Sequence, residues 1–169
     1  IGQQGRAMRL ISLFMAAVLV ASCAQAATID EKTMENTAVI IVTGELTNGD
    51  ADKFNAVVQR HSKALVVFDS GGGHLMTGLQ IGETIRLKGF ATGVTAGAQC
   101  ASSCALAWLG GVPRYLAPTG RLGFHAAYRI DGSTPRETGM GNALVGAYLT
   151  RIGLPLSAVA YITQAAPND

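Results

Sequence analysis

Two serines stand between two cysteines in Gln99-Cys100-Ala101-Ser102-Ser103-Cys104, at the head of the apolar run Ala105 to Leu109. Hydroxyls and thiols both attack carbonyl carbon, and a serine needs a base to do so. Three histidines are available. His61 ends a polar helical stretch and reads as solvated. His74 directly follows Gly71-Gly72-Gly73. His125 lies in the apolar stretch RLGFHAAY, where a single histidine is commonly a core residue. A serine, a histidine and a glycine run together suit acyl transfer, with glycine N–H groups holding the oxyanion. Each part also has a plainer reading. Ser102 or Ser103 at a helix start can serve as an N-cap. The glycine run can be a tight turn, or a phosphate cradle. No Gly-Lys-Ser/Thr follows it, so it does not match a P-loop. The serine does not sit in the G-x-S-x-G pattern either, because Cys100 and Cys104 occupy the glycine places.

The elements that must position these groups are legible in outline. Ala38 to Leu46 and Ala64 to Ser70 are β-branched apolar runs and read as buried strands. Residues 27–37 read as a polar leader. A helix should begin near Asn48 or Asp50 as cap and run towards His61. A second helix is expected from His74 to its stop at Gly89, with Leu75, Leu79, Ile81 and Ile85 on one face. A short third strand, ATGVTAG, precedes the serine helix, which ends at Gly110-Gly111. Two short strands flank a Pro-Thr-Gly turn, the second containing His125, and helices are expected over 139–151 and 156–164. Strand and helix alternate three times. The fold class is therefore α/β, with repeated strand–helix units on a mainly parallel sheet. Ligands of such sheets sit beyond the carboxyl ends of the strands, where DSGGGH and AGAQCASS stand.

Residues 1–26 read as an export signal. Arg6 and Arg9 precede the apolar core Leu10 to Ala21, which is 12 residues long and too short to span a bilayer, and Ala24-Gln25-Ala26 is a cleavage site. Val20-Ala21-Ser22-Cys23 also has the form of a lipoprotein box, which would anchor the chain through Cys23. Periplasmic or secreted localisation is expected, with a membrane as partner only if Cys23 is lipidated. Beyond residue 26, basic and acidic residues balance at 11 each, which argues against nucleic acid as a partner. No cofactor or metal is expected.

The ordered set is similar to a known family. The chain resembles the Clp protease proteolytic subunit and the crotonase-like superfamily, and most closely exported Clp-like proteins of bacteria. Ser70-Gly71-Gly72-Gly73 stands where the Clp enzyme has serine-proline-glycine-glycine. Ala101-Ser102 fits the alanine-serine of its nucleophile, and Pro118, Arg121 and His125 repeat the spacing leading to its histidine. The resemblance implies a crotonase/Clp-like domain over 38–169. It implies Ser102 as nucleophile, His125 as general base, and oxyanion donors from the backbone of Gly72 or Gly73 and of Ser103. The implied activity is that of an exported serine hydrolase, a peptidase, taking a peptide or protein substrate. Homo-oligomers are also known in this family. The third member of a triad would be Asp169, the last residue, and the domain reads as truncated there; Asp131 and Asp69 are the fallbacks. Two other readings stay open: a non-catalytic Clp-like module that binds peptides or assembles with partners, and crotonase-type chemistry on a coenzyme A thioester.

Cys100 and Cys104 have two readings. Export places them in an oxidising compartment. Within one helix, side chains four apart stand about 5–6 Å apart at Cβ, whereas a disulfide wants about 3.5–4.5 Å. A bridge thus requires Cys100 to lie before the helix, where it would fix the bend presenting Ser102. Otherwise the two are small buried hydrophobes packing the helix.

Overall fold

The computed structural model describes residues 26–166; the expected export signal up to residue 25, with Cys23, and Asp169 lie outside them. A five-stranded sheet forms the centre. Its strands are β1 (Thr28–Met34), β2 (Thr37–Thr43), β3 (Ala64–Asp69), β4 (Ala91–Val94) and, at the far edge, β6 (Arg114–Leu116). β2, β3, β4 and β6 are parallel, and β1 pairs antiparallel with β2. A second, two-stranded parallel sheet joins β5 (Gln99–Ala101) to β7 (Arg121–Gly123). The helices are α1 (Asp50–Val58), α2 (Leu75–Lys88), α3 (Ser103–Leu109), α4 (Gly139–Arg151) and α5 (Leu156–Gln164). The mixed α/β architecture on a mainly parallel sheet agrees with the sequence.

Alternation drives the central strands inward. In β2 and β3, Ile40, Val42, Val66 and Phe68 are fully buried and share one core with Phe54 and Val58 of α1 and Ile81 and Ile85 of α2. Gly89 terminates α2 in the left-handed conformation. A second core gathers Leu79, Leu106 and Leu109 with Val145, Tyr148 and Leu149 of α4. It fastens α4 over the serine helix.

Two helices approach each other unusually closely. A Cβ on Gly78 would meet Ser103, and one on Gly82 would meet the Tyr148 hydroxyl and Ala107. Small residues on α2 thus let the backbone of α3 come down onto it. Helix α3 has only seven residues, too few to be stable alone. Its terminal carbonyls are satisfied by side chains from elsewhere. Tyr148 Oη donates to Leu106 O at 2.8 Å, Thr92 Oγ1 to Trp108 O at 2.8 Å, and Arg114 to Leu109 O at 2.8 Å. Burial pushes the Tyr148 phenol far above its ordinary pKa, so it remains a donor at every physiological pH.

Several local expectations are corrected. Residues 27–37 are not a leader without structure: Thr28–Met34 is strand β1. Its charged residues made it look unstructured, but an edge strand needs only partners for its backbone, and β2 supplies them. The cap of α1 is Gly49, not Asn48 or Asp50. His125 does not lie in a strand, since β7 stops at Gly123. Residues 128–137 form a hairpin, β8 (Tyr128–Asp131) and β9 (Thr134–Glu137). The two-residue loop is Gly132-Ser133, with Gly132 at positive φ as such tight turns require.

Asp50 opens α1 and holds the turn before it. Its buried carboxylate accepts from Thr47 N–H at 2.7 Å, from the Thr47 hydroxyl at 2.8 Å and from Lys53 at 2.7 Å. Burial by itself would raise this carboxyl; the bonds from Lys53 and Thr47 outweigh it and hold the carboxyl below its ordinary value. A depressed folded pKa means that the stabilisation is complete above the unfolded value of about 3.9 and is lost as pH falls through the folded one. Asp50→Ala should therefore cost about 2 kcal/mol at neutral pH, and the gap to the native chain should narrow as pH falls below the unfolded carboxylate value of about 3.9, as followed by urea unfolding across a pH series.

Candidate active site

The carboxyl ends of β2, β3, β5 and β7 converge on one cavity of about 580 Å³. Gly44, Glu45, Gly71, Gly72, Gly73, Leu75, Ser102, Ser103, Leu106, His125, Ala127, Tyr128 and Val145 line it. Four strand ends far apart in the sequence, with Val145 of α4, therefore meet there.

Ser102 is the strained point. It joins β5 to α3 at φ 56° and ψ −129°, a conformation that L-residues rarely adopt. Its N–H donates to Gly123 O at 2.8 Å, continuing the β5–β7 pairing through the bend. Ser102 stands at the N-cap position, but its side chain makes no capping bond. Ser103 is fully buried at the first helical position. Its N–H takes no hydrogen bond among the described residues, as befits the first turn of a helix. The Ser103 hydroxyl is buried without a partner.

The glycine loop is packed against this bend. Gly72 and Gly73 have φ of 95° and 138°. A Cβ on Gly72 would lie 2.6 Å from both Ala101 O and Ser102 Cβ. Only glycine permits that approach. Ser70, buried at the end of β3, ties the loop together. Its Oγ donates to Gly44 O at 2.5 Å and accepts from Gly72 N–H at 3.1 Å, while Ala101 N–H donates to Ser70 O at 3.0 Å. The Gly72 N–H is thus occupied. Gly72 O and His74 N–H both bond to Leu46, which turns the intervening Gly73 N–H the other way, and it takes no partner among the described residues. Of the two glycines expected as donors, Gly73 is the free one.

His125 faces the cavity from the irregular stretch after β7. Its Nδ1–H donates to Ala126 O at 2.8 Å, which leaves Nε2 as the unprotonated nitrogen. The stretch is held on three sides. Ala126 N–H donates to Ala165 O at 2.8 Å, Ala127 N–H to Asn142 Oδ1 at 2.7 Å, and Thr138 N–H to Ala127 O at 2.9 Å. The Tyr128 ring lies 5.1 Å from the imidazole, centre to centre. No hydrogen bond joins Ser102 to His125 among the described residues. Such bonds are often long without substrate and tighten on its binding.

The other candidates fall elsewhere. His74 caps α2 and bonds Thr77 through Nδ1 at 3.0 Å, outside the cavity lining. His61 bonds Glu31 at 2.8 Å. Neither fallback acid orients His125. Asp69 accepts from Gln99 N–H at 3.1 Å, and Asp131 pairs with Arg136 at 3.2 Å at the tip of the exposed hairpin. Both misses have one cause: a strand end and a hairpin tip point their carboxylates away from the cavity. Among the described residues His125 Nδ1 is engaged by the Ala126 carbonyl, which no sequence pattern marks; Asp169, the acid expected there, lies outside them. Asn142, half-buried in the first turn of α4 after the Thr138 cap, carries no sequence signal for its bond to the Ala127 N–H.

Cys100 and Cys104 form a disulfide, with Cα atoms 5.2 Å apart. Cys100 lies in β5, before the helix, which meets the condition set by its spacing. Both residues are fully buried in the main core. The bridge closes a five-residue ring that contains Ser102 and the Ser103 N–H.

No protein-family model matches this chain, and no curated protein does. Solved structures do match. The membrane-bound stomatin-specific protease 1510-N, as a serine-to-alanine mutant, superposes with a TM-score of 0.60 at 16% identity, over 74% of this chain and 68% of that one. ClpP1 from Listeria monocytogenes gives 0.56 at 16% identity, over 77% of this chain and 83% of that one. The stomatin-specific protease as a lysine-to-alanine mutant with a substrate peptide gives 0.54 at 18%, over 68% and 57%. The chain has the Clp-type fold. At these identities the likeness speaks for the fold, and the chemistry rests on the cavity. In that fold, the strained serine bend and the glycine loop are the two strand-end features that face each other here.

Two outcomes follow from this geometry. Gly72→Ala should lose about 1–3 kcal/mol, since both φ and the contacts with residues 101 and 102 forbid a side chain. Gly71→Ala, with open space around it, should stay within about 0.5 kcal/mol; thermal unfolding of the pair decides. For the bridge, thiol titration of the denatured, unreduced chain should find neither Cys100 nor Cys104 free. Replacing both by alanine should cost about 2 kcal/mol, the loop-closure value for so short a ring.

Proposed function

We propose that this protein is an exported serine hydrolase, and within that class a peptidase, working by acyl transfer. The observation that carries the reading is Ser102. It is held in a strained bend with its hydroxyl released from helix capping, on a cavity that His125 also lines, and the Nδ1 of that ring is engaged by Ala126 O. Strain of this kind is maintained where the surrounding structure enforces it, commonly at sites of chemistry.

The steps follow from the atoms present. A substrate carbonyl enters with its oxygen towards the Gly73 and Ser103 N–H groups. Ser102 Oγ attacks the carbon while His125 Nε2 takes the hydroxyl proton. The oxyanion is held by the two N–H groups, preorganised by backbone geometry and not by side-chain rotamers. The imidazolium, steadied by its Nδ1–H bond to Ala126 O, returns the proton to the leaving amine. Water then repeats the sequence on the acyl-enzyme and releases Ser102. The stomatin-specific protease was solved as serine and lysine mutants. This chain has no lysine after Lys88, and none lines the cavity, which favours His125 as the base. Export is supported by the arginine-flanked apolar segment and cleavage site in residues 1–26.

One observation favours a second reading, a non-catalytic Clp-like module: Ser102 and His125 are not hydrogen-bonded. A fluorophosphonate probe separates the two. It should label the native protein at Ser102 and leave Ser102→Ala unlabelled. His125→Gln should slow labelling about 10²–10⁴-fold, and His74→Ala should leave the rate unchanged. A folded, oxidised protein that resists the probe would be the non-catalytic module.

A further inference from the structure

The cavity has an uneven electrostatic lining. Its floor is apolar, with Leu75, Leu106, Ala127 and Val145. Its lining contains no arginine or lysine and a single carboxylate, Glu45. That residue follows β2 and is exposed. Its backbone has little freedom, because both neighbours are pinned: Gly44 O accepts from Ser70 Oγ at 2.5 Å, and Leu46 N–H donates to Gly72 O at 2.8 Å. Its side chain stands over the glycine loop, for a Cβ on Gly73 would lie 3.0 Å from Glu45 Cγ. The Glu45 carboxylate makes no ion pair or hydrogen bond among the described residues, whereas those of Glu31 and Glu83 are paired with arginines.

Resting on the proposed peptidase reading, we infer that Glu45 is a specificity-determining residue that selects a cationic side chain next to the cleaved bond. The physical reason is twofold. An unpaired carboxylate at the mouth of a partly enclosed cavity attracts cations and repels anions. The Glu45 side chain also packs against Gly73, the residue whose N–H holds the oxyanion in the proposed mechanism. A lysine or arginine of the substrate placed against Glu45 offsets that repulsion, so the preference appears in kcat/KM and not in binding alone. The same lining disfavours polyanionic substrates. A coenzyme A thioester, with its phosphates, finds no cation here, which weighs against the crotonase-type reading of the sequence.

The test uses matched fluorogenic peptides that carry lysine, glutamine or glutamate beside the scissile bond. With the native protein, the lysine peptide should exceed the glutamate peptide about fivefold in kcat/KM, the scale of a rim ion pair. The gap should shrink in 0.5 M salt, roughly where screening falls within a few ångströms. Glu45→Gln should level the series and Glu45→Lys should reverse it. Equilibrium binding of the same labelled peptides to Ser102→Ala reads the preference without turnover. A lysine preference there that Glu45→Gln abolishes would sustain the inference even in a protein that resists fluorophosphonate. Turnover with equal rates across the series, a preference that survives Glu45→Gln, or no peptide binding to Ser102→Ala overturns it.

Discussion

The site depends on one bend held against its own preference. Ser102 occupies a backbone region that costs about 1–3 kcal/mol for a residue with a side chain. What keeps it there comes from three directions. The Gly123 carbonyl takes its N–H, the disulfide between Cys100 and Cys104 closes the ring around it, and the glycine loop fills the space against its Cβ. The same bend detaches the serine hydroxyl from the helix it begins and turns the Ser103 N–H outward. The Ser102 hydroxyl and the Ser103 N–H are therefore both set by a single backbone geometry.

The rest of the fold supplies rigidity to that geometry. Helix α3 is too short to hold itself, and its carbonyl end is anchored by Thr92, Arg114 and Tyr148, from β4, β6 and α4. Its body rests on the glycines of α2. Ser70 couples three strand ends: its buried hydroxyl donates to Gly44 O after β2, and its backbone N–H and carbonyl bond Gln99 and Ala101 of β5. The histidine is treated differently. It stands on irregular backbone held by Asn142, Thr138 and Ala165, so its position depends on contacts with α4 and the end of α5. A serine on a bend closed by a disulfide and a histidine on irregular backbone share the cavity without a hydrogen bond between them among the described residues.

A disulfide in so short a ring adds local order more than global stability. The closure entropy it removes grows only with the logarithm of ring size. Both sulfurs sit in the core, where they also serve as apolar packing. The two readings of these cysteines were thus not exclusive: the pair is bridged and it is core.

The sequence by itself determined the strand–helix alternation, the extents of α2, α4 and α5, and the order of glycine loop, serine and histidine. These rest on local signals: β-branched runs, a helical apolar period and glycine stops. It also determined that a Cys100–Cys104 bridge needed Cys100 outside the helix, since that follows from side-chain reach. Only the tertiary structure decided which loops meet. β1 was hidden because a polar edge strand takes its order from its neighbour. Gly73 stands free where Gly72 does not because Ser70 Oγ claims one N–H, and hydrogen bonds between strand ends leave no trace in spacing. The fallback acids Asp69 and Asp131 looked available because sequence gives no direction to a carboxylate. The backbone carbonyl of Ala126, present at every residue type, could orient His125 only once the chain had folded around it.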